Sequence, residues 1–388
     1  MTQLIKGAVL LDAETQYEEK DILISNNMLT AIEENIPESS AETIIELSGY
    51  TVMPCFVDCH VHVCSRNGPS EAILRGFAKH GISVVKDMGL LREMPIEEYM
   101  MWLDAHQAPE YARVITAGRY IDVAEGYGMG PRAGSNWGIK IQTPEDAMQA
   151  VTYQAGCGVA GIKTGLADGF VGPVRGRISR ELLTALMDAA REYGLWSSIH
   201  IGRVDDLRMA VECGVTAAAH TPGDCELDDT CIELMLKYGV SMTTTVGDFM
   251  NSKVKFIPIG YHDATDLKMH QAIMLFNLRK FYDAGGMIGV GTDRQDRDGS
   301  GGNTGIPVWE LAQLRSIGIP MNEVIRAGTV NAAKICGLWD EGLLRVGMKA
   351  NLLAFQGMLD DSFEQLSVPQ FVMNRGEILV DFTKTAQN

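Results

Sequence analysis

At 388 residues, with 46% apolar and 21% charged side chains, the chain has the balance of an ordinary globular protein and the length for a barrel of about 250 residues plus a further domain. A net charge of −17 and a pI near 4.9 exclude the clustered basic surface that nucleic acid demands, so no nucleic-acid partner is expected. No apolar run approaches the roughly 20 residues that span a bilayer, so no membrane partner is expected either.

Residues 1–52 read as short β segments: Leu4–Leu11, Asp21–Ile24, Leu29–Ile32 and Thr43–Leu47, separated by polar turns. The first of them, with one lysine and no small-residue cleavage site, reads as a strand and not as a signal peptide. From Thr51 onward, apolar strand candidates alternate with amphipathic stretches, the pattern of a parallel α/β architecture. The strand candidates are Val52–Val57, Ser83–Asp87, Arg113–Ala117, Val159–Lys163, Trp196–His200, Val215–His220, Ser241–Thr245 and Ile288–Thr292. Helices are expected between them at Glu71–His80, Glu97–Ala105, Pro144–Ala155, Arg180–Tyr193, Val204–Cys213, Asp228–Tyr238, Asp266–Ala284 and Pro307–Ile317. Several of these start at a helix-opening residue, such as Thr143 before Pro144, or stop at a glycine, such as Gly194 or Gly239.

Asn322–Ala333 also reads as helical, and Leu343–Asp381 returns to short apolar segments like those at the N-terminus. The expected fold is therefore a (β/α)8 TIM barrel over residues 53–339, inserted in a small β-sandwich domain built from residues 1–52 and 340–388. The eight cysteines lie mostly in apolar segments without a CxxC pair, which suits reduced thiols in a cytoplasmic protein.

Directly after the first barrel strand stands Asp58-Cys59-His60-Val61-His62. Alternate strand residues point the same way, so imidazoles at i and i+2 can grip one ion. Alone, such a pair is a weak signal. Four further residues close other predicted strands: Lys163, His200, His220 and Asp293. In a barrel all strand ends open into one bowl, so residues far apart in sequence converge there.

With these residues the chain resembles the amidohydrolase superfamily, in particular its imidazolonepropionase-like and prolidase-like branch. Its two-metal members pair an HxH after strand one with a lysine on strand four, histidines on strands five and six and an aspartate on strand eight. The resemblance extends to Gly328-Thr329-Val330-Asn331-Ala332-Ala333-Lys334-Ile335-Cys336-Gly337-Leu338 and to Leu344–Leu352, where Asn351 replaces the aspartate common in relatives. It implies two divalent ions and a Lys163 carboxylated by CO2 to bridge them. His60, His62 and Asp293 would hold one ion, and His200 and His220 the other. Mixed imidazole and carboxylate ligands suit zinc, with manganese, iron or cobalt as alternatives. A hydroxide bridging the ions would attack the substrate, and Asp293 would act as catalytic proton carrier to the leaving group.

Arg132, Arg175, Arg177, Arg203 and Arg294 fall in stretches assigned to the bowl and suggest a small, anionic substrate, since the guanidinium fork suits carboxylate. Tyr120 and Tyr127 after strand three, and His262 in the long loop after strand seven, are further substrate-binding candidates. The expected activity is hydrolysis of an amide-type C–N bond (cyclic amide, N-acyl amino acid or dipeptide) by a homo-oligomer. Heterocycle deamination, lactone or ester hydrolysis, and a non-catalytic scaffold stay open beside it.

Overall fold

In the computed structural model, described for residues 1–65, 68–129, 138–166, 176–247, 264–295 and 303–383, both ends of the chain meet in one sheet. The N-terminal part supplies β1 (Thr2–Leu11), β2 (Gln16–Ser25), β3 (Met28–Glu33), β4 (Thr43–Glu46) and β5 (Tyr50–Pro54). The register of β1 on β2 shifts between Ile5 and Ala8. Gly7 sits in that shift at φ 63°, and a Cβ there would lie 2.3 Å from Ser48 Oγ, so only glycine fits without displacing its neighbour.

The sequence predicts one strand over Val52–Val57, and the structure divides it. β5 belongs to the terminal sheet, whereas β6 (Phe56–His62) starts a parallel one. Pro54 has no N–H to continue a ladder, and the Cys55 amide turns instead to Asn351 O at 2.9 Å. The expected domain boundary at residue 52 falls within β5.

The parallel strands are β6, β7 (Ile82–Asp87), β8 (Arg113–Thr116), β9 (Gly161–Leu166), β10 (Trp196–Ile201), β11 (Ala217–Ala218), β12 (Ser241–Thr243), β13 (Ile288–Gly289) and β14 (Arg294–Gln295). They form two arcs, β8-β7-β6-β14 and β9-β10-β11-β12-β13. On one side the arcs are joined by the Ala160 amide donating to Thr116 O at 3.1 Å. On the other, the Cys59 amide donates to Val290 O at 2.9 Å, and the Thr292 and Asp293 amides both donate to His60 O at 3.2 and 2.7 Å.

β11 is shorter than its predicted Val215–His220. Side chains take over its ladder: the Ser197 amide donates to Thr216 Oγ1 at 2.9 Å and the Thr216 amide to Ser197 Oγ at 3.0 Å. Helices α1 (Glu71–Lys79), α2 (Ile96–Ala105), α3 (Pro144–Gly156), α4 (Arg180–Glu192), α5 (Val204–Glu212), α6 (Asp229–Tyr238), α7 (Ala264–Asp283) and α8 (Val308–Ser316) lie between and after the strands. Their starts follow local chemistry. Thr143 and Asp146 exchange hydrogen bonds across the first turn of α3, and Ser179 and Asp228 cap α4 and α6. Leu182, Leu183, Leu186 and Met187 of α4 lie buried together with Ile162 and Ile199 of the strands. Among the described residues, no helix is long and apolar enough to cross a membrane.

After α9 (Met321–Gly328) and α10 (Val330–Ile335), the chain returns to the first sheet with β15 (Leu352–Gln356), β16 (Phe371–Asn374) and β17 (Glu377–Asp381). The order is β17-β16-β15-β5-β1-β2-β3, with β4 beside β1. The terminal strands expected as a sandwich are thus joined edge to edge in one mixed sheet. Ile5, Leu10, Ile24, Val52, Leu352 and Phe371 from both ends pack in one apolar cluster. Asn351 is structural here: its Nδ2 donates to Glu341 Oε2 at 2.6 Å and its Oδ1 accepts from the Arg375 amide at 2.6 Å.

An aspartate at this position would lose the donor and set two carboxylates face to face. Asn351→Asp is therefore expected to destabilise the protein by ~1–3 kcal/mol at pH 7. Part of that loss should return near pH 5, where a proton can be shared. Equal urea midpoints for the two proteins at pH 7 would refute the account.

Candidate metal centre

His60 and His62 leave β6 on the same side, and Asp293 reaches them from the segment between β13 and β14. Its Oδ1 lies 3.3 Å from Nε2 of each imidazole. One ligand atom from each of the three lies within 4.8 Å of the others, a group able to hold a metal ion. Asp293 achieves this at φ 57°, a left-handed conformation that aspartate tolerates better than most residues. The preceding Gly291 leaves the space for it: a Cβ there would be 2.4 Å from Thr243 Cγ2 and 2.9 Å from His60 Cβ.

The other predicted ligands surround this group. The His220 ring centre is 4.7 Å from that of His60 and 4.4 Å from that of His200. Lys163 is buried, paired in register with Ser198, two residues before the Gly165–His200 pair. The far ring nitrogens face acceptors. His60 Nδ1 is 2.9 Å from Ala219 O, and His62 Nδ1 is 2.9 Å from Gly89 O. A carbonyl only accepts, so each Nδ1 carries the proton and each Nε2 presents its lone pair, the tautomer a metal ion needs. The residues present therefore fit a divalent metal site.

The electrostatics agree with that fit at three of the four rings. Burial pushes His60 down to about 4 and holds His200 and His220 well below the usual imidazole range. Burial acts on His62 in the same direction, but its hydrogen bond to Asp293 and the charges of Asp293 and Asp87 outweigh it and raise the ring. Burial also opposes the charge of Asp293, yet His60 and His62 hold its carboxyl well below the usual range. Lys163 is lowered to about 7, first by burial.

A sign follows for stability. Unfolded imidazoles protonate near about 6.5, so below that pH the unfolded chain binds protons that the native His60, His200 and His220 refuse. The metal-free protein is expected to lose stability as pH falls from about 6.5 toward 4, by up to ~1.4 kcal/mol per pH unit for each ring. His62 works in the opposite sense. Coincident urea midpoints at pH 7 and pH 5 would contradict neutral buried rings.

The substrate-binding candidates divide. Tyr127 stacks on His200 with ring centres 3.7 Å apart. Tyr120 buries its phenol hydroxyl without a hydrogen-bond partner among the described residues. That hydroxyl lies over Gly165, where a Cβ would come within 1.9 Å of it. Three arginines are engaged within the protein. Arg177 pairs with the buried Asp206, Arg203 lies 3.8 Å from Asp224, and Arg294 donates to Gly305 O. Arg132, Arg175 and His262 lie outside the described residues.

Two contributors were not singled out from the sequence. Asp58 ties the first and last strands together: its Oδ1 accepts from the amides of His60 at 3.0 Å and Thr292 at 3.1 Å, and its Oδ2 from the Thr292 hydroxyl at 2.7 Å. Burial raises its carboxyl to about 6 against the opposing charge of Arg294. A lone acid within an apolar strand was the available signal. Thr245, whose Oγ1 lies 2.9 Å from His220 Nδ1, carried no signal beyond its place at the end of a predicted strand.

Comparison with known proteins places the chain in a family. The amidohydrolase family matches residues 51–380, and the chain belongs to that family. A 5-methylthioadenosine/S-adenosylhomocysteine deaminase of Pelotomaculum thermopropionicum is 24% identical over 90% of this chain and 84% of its own. An imidazolonepropionase of Paracoccus denitrificans is 24% identical over 82% of this chain and 83% of its own. The chain matches only about a quarter of the length of a dihydroorotase of Halalkalibacterium halodurans, at 32% identity. Among solved structures, a prolidase complexed with N-methylphosphonate-L-proline superposes with a TM-score of 0.79 at 18% identity, covering 98% of this chain and 100% of that one. The chain is thus an enzyme of a family whose members act on C–N bonds.

Proposed function

We propose that the protein is a metal-dependent hydrolase of a small substrate, cleaving an amide-type C–N bond, in a closed (β/α)8 barrel flanked by the mixed sheet that both ends of the chain build. The observation that carries the reading is the gathering of four imidazoles, one carboxylate and one buried lysine on five strands or just beyond them. His60, His62 and Asp293 would hold one ion, His200 and His220 a second, and carboxylated Lys163 would bridge them. Bound divalent ions, zinc by preference, lower the pKa of water toward about 7 and polarise the scissile carbonyl.

The remaining work falls to side chains. Asp293, ionised at neutral pH and with its Oδ1 3.3 Å from the Nε2 of both rings of the HxH pair, takes the proton of the attacking water and delivers it to the leaving nitrogen. Lys163, lowered to about 7, offers at neutral pH the uncharged amine that carboxylation consumes. Tyr127, flat on His200, and the unpartnered hydroxyl of Tyr120 meet the substrate. The proline analogue in the similar prolidase supports a carboxylate-bearing substrate. Arg132, Arg175 and His262 are assigned to its binding from the sequence, as are Arg177, Arg203 and Arg294 once their internal partners give way. Free thiols at all eight cysteines support a cytoplasmic setting, and we assign the protein a homo-oligomeric state.

The deaminase relative keeps a second reading in view. Deamination in this superfamily commonly uses one metal and a glutamate three residues after the strand-six histidine. Here that position is Gly223, and the neighbouring Asp224 accepts from the Val204 amide at 2.9 Å, at the start of α5. The test is a screen of N-acyl amino acids, dipeptides, cyclic imides and hydantoins on zinc-loaded protein, with metal analysis. Ring or amide cleavage with two ions per chain is expected. Ammonia release without cleavage, with one ion per chain, would overturn the proposal.

A further inference from the structure

The three candidate ligand histidines whose Nδ1 has a partner are not held alike. His60 and His62 face backbone carbonyls, Ala219 O and Gly89 O, acceptors that no substitution of a side chain removes. His220 faces the hydroxyl of Thr245 at 2.9 Å, which can accept or donate. If it donates, the ring proton sits on Nε2 and the ring cannot ligate. If it accepts, Nδ1 keeps the proton and Nε2 is bare.

The backbone at Thr245 is costly. Its φ is 47°, in the left-handed region that a β-branched side chain disfavours, and the residue is buried. Its surroundings impose that geometry. The Thr245 amide donates to Gly291 O at 3.0 Å. The next two amides, Val246 at 3.2 Å and Gly247, converge on the buried carboxylate of Glu310 in α8. Gly247 has no room for a Cβ, which would sit 2.2 Å from the Trp309 ring. Strain that the surroundings over-determine, one hydrogen bond from a candidate ligand, fits a functional role for the strained residue.

We propose that Thr245 is a positioning residue for the metal centre, its hydroxyl accepting the Nδ1 proton of His220 so that Nε2 is free to ligate, with Glu310 fixing the backbone that places it. The proposal rests on the metal-hydrolase reading above, and its test separates the two. Metal-free protein is titrated with Co2+ for wild type, T245S, T245A and T245G, with thermal melts of each. The metal-free wild type is also examined by long-range 1H–15N spectra of its imidazoles.

T245S is expected to keep wild-type affinity. T245A and T245G should each lose about 10–100-fold for one of two ions, the scale on which removal of a partner behind a ligand acts. T245G should meanwhile melt no lower than wild type, because glycine relaxes the positive φ. The ring proton of His220 should reside on Nδ1 before any metal is added. Wild-type affinity in T245A and T245G, a loss in T245S equal to theirs, or a proton on Nε2 would each overturn the proposal. Absence of metal uptake by wild type would instead sink the hydrolase reading, leaving the imidazole spectra to decide the role of Thr245.

Discussion

Asp293→Asn is expected to lower kcat by about 10²–10⁴-fold, the range over which a positioned proton carrier acts, while leaving the fold intact. Asparagine matches aspartate in shape and tolerates the left-handed conformation that residue 293 adopts at φ 57°. Its amide can still occupy the place of Oδ1, 3.3 Å from both Nε2 atoms, but it neither accepts a proton nor supplies charge. A second readout follows from the same pair. His62 is raised against burial chiefly by Asp293, so in the metal-free variant the charge of Asp87 and the Gly89 carbonyl are left to oppose burial and its pKa should fall below the wild-type value. Full activity in Asp293→Asn would contradict the proton-carrier role, and an unmoved His62 would contradict the pairing.

Lys163→Ala should abolish binding of at least one ion and lower activity by more than the ~10–100-fold that loss of a supporting residue behind a ligand costs. The neutral amine, CO2 and a departing proton give a carbamate, an anionic oxygen donor that lysine itself lacks. Burial lowers Lys163 to about 7, so the reactive amine is substantially populated at pH 7 and scarce at pH 5. Wild-type protein prepared with 13C-bicarbonate should show a carbamate carbon resonance absent from Lys163→Ala. A short carboxylic acid, small enough for the vacated space, should restore part of the activity. Two ions bound by Lys163→Ala, or no labelled carbon in wild type, would refute the bridging assignment.

Much of the candidate site was legible because its residues stand on, or just beyond, predicted strands. His60, His62, Lys163, His200, His220 and Asp293 interrupt apolar runs with donor atoms, and the α/β alternation makes such ends converge. Helix starts were legible for a local reason: Thr143, Ser179 and Asp228 cap through bonds only three residues long. Strand pairing was less so. The break between β5 and β6 depends on Leu352 and its neighbours, nearly 300 residues away, pairing with Thr51–Pro54. The arginine expectation shows the same limit, since Arg177 and Arg294 are engaged by Asp206 and Gly305, partners that spacing along the chain does not announce.

The sequence by itself determined which atoms could bind metal and roughly which strand ends carry them, because donor identity and strand period are local properties. Only the tertiary structure decided which nitrogen of His60 and of His62 is free. That choice is made by Ala219 O and Gly89 O, groups from other strands and loops brought within hydrogen-bond reach. Tautomer and burial are properties of surroundings, so the chain had to fold before its histidines could present the nitrogen a metal ion needs.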